Sequence, residues 1–132
     1  MNTYEVPTLY PTMNHSDNSQ VLTVSVPGSK SLTNRALLLA TLAKGTSILR
    51  GVLFSDDSRH FIQCVQDLGF ETKVDEENRI VEVNGLGGLV PKEEASQYVG
   101  SAGTAARFLA AYLGISNGTY HMDASEQMRK RP

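Results

Sequence analysis

The chain has 132 residues, with 12 Lys and Arg against 14 Asp and Glu, for a formal net charge of −2. That length fits one domain, or part of a larger one, able to bury about two-thirds of its unfolded surface. The charge balance argues against a nucleic-acid partner. No apolar run approaches the roughly 20 residues of a membrane span, and the single cysteine, Cys64, rules out an internal disulfide or a cysteine metal site. The opening MNTYEVPTLY lacks the basic-then-apolar order of a secretory signal, so a cytoplasmic location is expected.

In chain order, TYEVPTLY has strand character weakened by Pro7, and PTMNHSDNSQ (11–20) is polar and turn-forming, as in a linker. VLTVSV, Val21 to Val26, is rich in β-branched residues and predicts a strand, ended by Pro27 and Gly28. A helix is expected from about Ser29 to Lys44, with Ser29 as N-cap and Gly45 as its stop. Its centre, ALLLATLA, is apolar nearly all round and predicts burial on most faces. TSILRGVLF reads as a strand. DDSRHFIQCVQDLG reads as a second helix, with Asp56 and Asp57 suiting its positive start, a core stripe of Phe61, Ile62, Val65 and Leu68, and Gly69 at its end. FETKVDEENRIVEVNG predicts two strands around the polar turn Asp75–Asn78. GLGGLVPKEEASQ reads as a glycine-rich connection of loop or helical character, and YVG as a short strand. A third helix is expected from about Ala102 to Ile115, followed by a strand, GTYHMD, and a loop, ASEQMRKRP.

This order, βαβαββ followed by βαβ, prompts a search for an internal repeat. Shifting the chain by 72 places Gly28 and Ser29 on Gly100 and Ser101, Arg35 on Arg107, and Leu37 on Leu109. The shape G-S-x-x-x-x-x-R-x-L thus opens the first and third helices, and a third copy would begin beyond Pro132.

Helix starts carry unpaired N–H groups and partial positive charge, a combination that attracts phosphate and carboxylate. At the first start Gly28 permits close approach, Lys30 adds a charge and Ser31 a hydroxyl; Arg35 follows four residues later on the same face, with a planar fork suited to an oxyanion. The same residues also suit an ordinary strand–turn–helix with a solvated lysine. A P-loop fits poorly, because Thr23 stands where its first glycine belongs and Lys30 does not follow Gly28 directly. At the second start Gly100 and Gly103 flank the turn, with Thr104 and Arg107 beyond. Small residues there also serve close helix packing. Two starts of one build suggest a site for two anionic groups. MRKRP gathers Arg129, Lys130 and Arg131, which equally suit a solvated basic loop.

Asp56 and Asp57 read as a helix-start feature rather than an acid/base dyad, and His60 as structural. His15 and His121 lack metal-like partner spacing, so no metal site is expected. Cys64, between core positions, reads as a small buried residue rather than a nucleophile.

PGSKSLTNRALLLA, SDDSRH, GSAGTAARFLAA and SEQMRKRP stand in an order and spacing that resemble the N-terminal part of the 5-enolpyruvylshikimate-3-phosphate synthase (3-phosphoshikimate 1-carboxyvinyltransferase) family, over about Val21 to Pro132. The resemblance implies an enzyme several times longer than this chain. It implies transfer of the carboxyvinyl group of phosphoenolpyruvate to the 5-hydroxyl of shikimate 3-phosphate, with release of phosphate, in aromatic amino-acid biosynthesis. Addition then elimination would pass through a tetrahedral intermediate, with no metal or organic cofactor. The implied fold is α+β, an α/β prism of the inside-out barrel type. Its two lobes each hold three βαβαββ units, with helices packed inside and sheets outside. Residues 1–20 would be an N-terminal strand and linker. Residues 21–132 would be a partial lobe, with unit one at about 21–98 and the start of unit two at about 99–132.

By motif match, the resemblance makes Lys30 a catalytic residue contacting both substrates. Ser31 and Arg35 would bind shikimate 3-phosphate; Gly103, through its backbone, and Arg131 would bind phosphoenolpyruvate. Ser101, Thr104 and Arg107 would support them. Ser101 stands where many members have Asn, and Gln127 where some have Arg; both departures bear on affinity and leave the core set in place. The sibling family that acts on a UDP-sugar typically carries Lys-Asn at the first motif, so Lys30-Ser31 with Asn34-Arg35 favours the shikimate enzyme. The parent is expected to be monomeric and to bind neither nucleic acid nor membrane. The family's acid/base carboxylates lie outside the matched region, so this chain alone is expected to be inactive. Val21–Val26 would belong to the other lobe or the hinge; without its neighbours, exposed edges would favour self-association.

Overall fold

The computed structural model describes residues 28–131. The strands expected before Pro27, the linker at 11–20, and Pro132 lie outside the described residues. Within them the order is α1 (Lys30–Leu42), β1 (Lys44–Arg50), α2 (Asp56–Asp67), β2 (Thr72–Asp75), β3 (Ile80–Leu86), β4 (Glu94–Tyr98), α3 (Gly103–Gly114), β5 (Thr119–Asp123) and α4 (Glu126–Arg129). β1, β3 and β2 form an antiparallel sheet in that spatial order, and β4 pairs in parallel with β5. α1 packs on β3 and β1, α2 packs on β4, and α1, α2 and α3 touch one another.

The core follows from the periodicities. On β3 Val81, Val83 and Gly85 alternate inward. Phe61, Ile62, Val65 and Leu68 of α2 are buried, and Leu37 of α1 and Leu109 of α3 join them. Fully burying such a side chain contributes about 1.5–3 kcal/mol. Gly85 is required by packing: a Cβ there would run into the carbonyl oxygens of Ala40 and Ala43, so only glycine lets the end of α1 lie against β3.

Several expectations change. α1 stops at Leu42, and Ala43, in extended conformation, caps it by donating its N–H to Leu39 O; Gly45 already lies in β1. α1 is buried on one face only, through Thr33, Asn34, Leu37, Ala40 and Thr41, while Leu32 and Leu39 are about two-thirds exposed. β1 ends at Arg50 because Gly51 turns at φ +74°, so 52–54 are loop. EASQY is strand β4: pairing with β5 and burial of Gln97 override a polar composition poor in strand formers. YVG therefore splits, with Tyr98 ending β4 and Val99 leaving it. The segment after Ala124 is helical, not a loop: Ser125 caps α4, accepting from Met128 N–H at 3.2 Å, with Glu126 in the first turn and Arg129 in the last, as the helix dipole favours.

Candidate functional site

The first expected start forms as the sequence suggests. Ser29 caps α1, its hydroxyl accepting from Leu32 N–H at 3.3 Å. Lys30, the first helical residue, pairs with Asp57 across to α2, Nζ to Oδ2 at 2.8 Å. Arg35 donates to Ser31 O at 3.1 Å and also to the Ser31 hydroxyl, and its guanidinium lies 5.7 Å from the centroid of the Phe108 ring on α3. Ser31 and Arg35 are thus one unit, both exposed.

The second start is built otherwise. α3 begins one residue later than the repeat predicts, after Ala102, and no side chain caps it. The Ser101 hydroxyl is 2.6 Å from that of Ser125, and Ser125 N–H donates to Gly100 O at 2.9 Å. These bonds stitch the turn before α3 to the turn before α4. The stitching is possible because β4 and β5 run parallel and deliver both turns to the same end of their sheet. The consequence is that Arg131 reaches α3. A Cβ on Gly103 would lie 3.6 Å from Arg131 Nη1 and 3.8 Å from Arg107 Nη1. Gly103 N–H itself donates to Ser101 O at 3.0 Å. What it offers outward is a bare Cα beside two guanidiniums and the Met128 methyl. Thr104 is half-buried in the same turn.

The three basic residues at the chain's end separate in role. Arg129 binds Asp123, Nη2 to Oδ1 at 2.6 Å, and Lys130 pairs with Glu126 at 2.7 Å. Among the described residues neither Arg107 nor Arg131 makes an ion pair. The Asp123 carboxyl is held below its usual range by the backbone N–H of Ala124 and by Arg129, so it stays charged and keeps Arg129 occupied.

Three contacts bring the starts together. Lys30–Asp57 ties the first turns of α1 and α2. The His60 ring, edge-on to Tyr98 with centroids 5.5 Å apart, fills the space where Gly100 would carry a Cβ. Arg35 and Phe108 meet in the second turns of α1 and α3. Lys30 and Arg35 thus belong to the first two turns of α1, Arg107 and Arg131 lie against the first turn of α3, and the Arg35–Phe108 contact joins the two helices. Sequence reading missed Asp57 as the partner of Lys30, His60 as the support of Gly100, and Phe108 as the platform beneath Arg35. Only SDDSRH carried a local signal for the first two. Cys64 is fully buried, and burial followed by the nearby Asp67 charge pushes its thiol up to about 12, which makes it inert as a nucleophile.

The sequence profile of the family described as EPSP synthase (3-phosphoshikimate 1-carboxyvinyltransferase) matches residues 16–132. A 3-phosphoshikimate 1-carboxyvinyltransferase of Trichormus variabilis is 48% identical over 110 residues, covering 83% of this chain and 26% of that protein. One from Nostoc punctiforme is 44% identical over 133 residues, covering 100% of this chain and 29% of its own length. A solved structure of EPSP synthase from Acinetobacter baumannii superposes with a TM-score of 0.72 at 26% identity, over 83% of this chain and 24% of that one. The chain thus spans between a quarter and a third of the length of these curated relatives. On sequence and fold alike, the chain belongs to the EPSP synthase (3-phosphoshikimate 1-carboxyvinyltransferase) family.

Proposed function

We propose that this chain forms one wall of the site at which a 3-phosphoshikimate 1-carboxyvinyltransferase moves the carboxyvinyl group of phosphoenolpyruvate to the 5-hydroxyl of shikimate 3-phosphate. The observation that carries the proposal is the placing of Lys30 and Arg35 in the first two turns of α1 and of Arg107 and Arg131 against the start of α3, the two helices meeting at Arg35 and Phe108. Both substrates are phosphorylated carboxylates, and a cluster of cations at helix starts suits them. Ser31 and Arg35 bind shikimate 3-phosphate. Arg131, beside Gly103, binds phosphoenolpyruvate, with Arg107, Thr104 and Ser101 shaping that end. Lys30 reaches both, and its fixed charge favours the negative charge that builds on phosphate as the carbon–oxygen bond breaks.

In this reading residues 21–98 and 99–132 are successive units of one lobe of an inside-out prism. The mutual packing of α1, α2 and α3, with sheets against α1 and α2, supports that assignment. No helix among the described residues is long and apolar enough to cross a membrane; we place the enzyme in the cytoplasm, as a monomer at full length. The opposite wall and the acid/base carboxylates belong to the parent enzyme beyond the matched region, so this chain binds but does not turn over. The test is calorimetric titration of the chain with shikimate 3-phosphate and with shikimate, beside a phosphate-release assay containing both substrates. Binding that needs the 3-phosphate, without phosphate release, is expected. Equal binding of shikimate contradicts the anion site, and phosphate release contradicts the one-wall reading.

A further inference from the structure

Lys30 carries its charge on a flexible four-carbon stem, so where the ammonium sits must be set by a partner. That partner is Asp57, 2.8 Å away, whose side chain is 22% exposed against 53% for Lys30. The acid is the anchored member of the pair. α2 begins with a reciprocal cap, Ser58 N–H to Ser55 Oγ at 3.4 Å and Ser55 N–H to Ser58 Oγ at 2.8 Å. Ser58 O–H also donates to Leu53 O at 2.6 Å, and Leu53 N–H donates to Thr33 Oγ1 on α1 at 3.2 Å. The path Lys30–Asp57–α2 cap–Leu53–Thr33 therefore closes back on α1 one turn from where it began.

We infer that Asp57 is a positioning residue for Lys30, holding the ammonium across the starts of α1 and α2 so that an arriving phosphorylated carboxylate meets it already oriented. The inference rests on the anion-site reading above. Two effects oppose each other. Asp57 repels an anion and competes for Lys30, but it also removes the rotamer freedom that Lys30 would otherwise lose on binding. A lysine ammonium has three donors, so one bond to Asp57 leaves two for substrate. With its lysine half-exposed, the pair is also weak enough in water not to withhold them. Orientation wins, and removing the acid weakens binding rather than tightening it.

The test is calorimetric titration of the full chain with shikimate 3-phosphate. The variants are Asp57→Asn, Asp57→Glu, Lys30→Gln and Lys30→Gln with Asp57→Asn, each with a thermal melt. Asp57→Asn keeps the side-chain shape and the Ser55/Ser58 cap. It should weaken binding about fivefold, an effect on the scale of lost preorganisation of one long side chain. Its melting temperature should stay near wild type, and Asp57→Glu should regain part of the affinity. On the Lys30→Gln background the same change should have no further effect. Unchanged or tighter binding by Asp57→Asn, or an equal loss on both backgrounds, overturns the inference and leaves the anion site standing. Absence of binding by the wild-type chain overturns the site itself, and the inference with it.

Discussion

The starts of α1 and α3 share a sequence shape and are furnished in opposite ways. At α1 the serine caps the helix, the lysine has an acid partner, and the arginine is held by a hydroxyl and an aromatic ring. At α3 the serine has turned away to Ser125, the helix is uncapped, and two arginines flank Gly103 without an ion pair among the described residues. At the first start the lysine is paired and the arginine is held in place by neutral groups; at the second, among the described residues, neither arginine has an ion pair. Equal residues at equal spacing thus give an orienting surface in one place and an attracting one in the other, and the difference comes from contacts remote in sequence.

The largest effect that sharpens this contrast should come from Gly100, whose φ of +56° and contact with the His60 ring leave no room for a Cβ. Gly100→Ala should cost about 2–4 kcal/mol in a denaturant titration, combining left-handed strain with overpacking. A cost under about 0.5 kcal/mol would mean that the second turn is not fixed as described. Next, Arg131→Ala should weaken phosphoenolpyruvate binding about tenfold, as expected for one charge-assisted contact. If calorimetry finds the tenfold loss in Arg129→Ala instead, the free and occupied arginines have been exchanged. Third, the two serines should separate: Ser29→Ala loses a helix cap and should cost about 1 kcal/mol, whereas Ser101→Ala loses an exposed hydroxyl pair and should cost under about 0.5 kcal/mol. Equal costs would restore the symmetry that the sequence suggests.

The smallest effect is in pH dependence. Asp123 is held below its ordinary range by Ala124 N–H and Arg129, and Glu76 by Arg59. A carboxyl with a depressed native pKa stabilises the fold above its unfolded value of about 4 and gives that up as pH falls through the native value. The melting temperature should therefore hold from neutrality to about pH 5 and decline below about pH 4. Asp123→Asn should flatten that decline. Cys64 works at the other end: its thiol is raised to about 12, so stability present below the unfolded thiol value is lost as pH climbs toward 12. Cys64→Ala should remove that alkaline loss.

Much of this was legible in the sequence, for reasons that the exceptions clarify. α2 was readable end to end because its apolar stripe, acidic first turn and closing Gly69 all agree, and the structure buries Phe61, Ile62, Val65 and Leu68 together. β4 was not, because Glu94–Tyr98 has no strand pattern of its own and is held by β5, more than twenty residues later. α4 is too short to show periodicity. The cations of the site were visible as residue types, Lys30, Arg35 and Arg107 at helix starts and Arg131 in a basic run. Their partners were not: Ser101 to Ser125, Arg35 to Phe108 and His60 to Gly100 are all contacts across elements.

The most direct test of the anion-collecting wall is amide NMR of the whole chain during titration with shikimate 3-phosphate and then phosphoenolpyruvate. The shifts should concentrate at residues 29–36, 100–107 and 131, with the sheet of β1, β3 and β2 silent. Shifts confined to that sheet, or none at either helix start at saturating substrate, would contradict it.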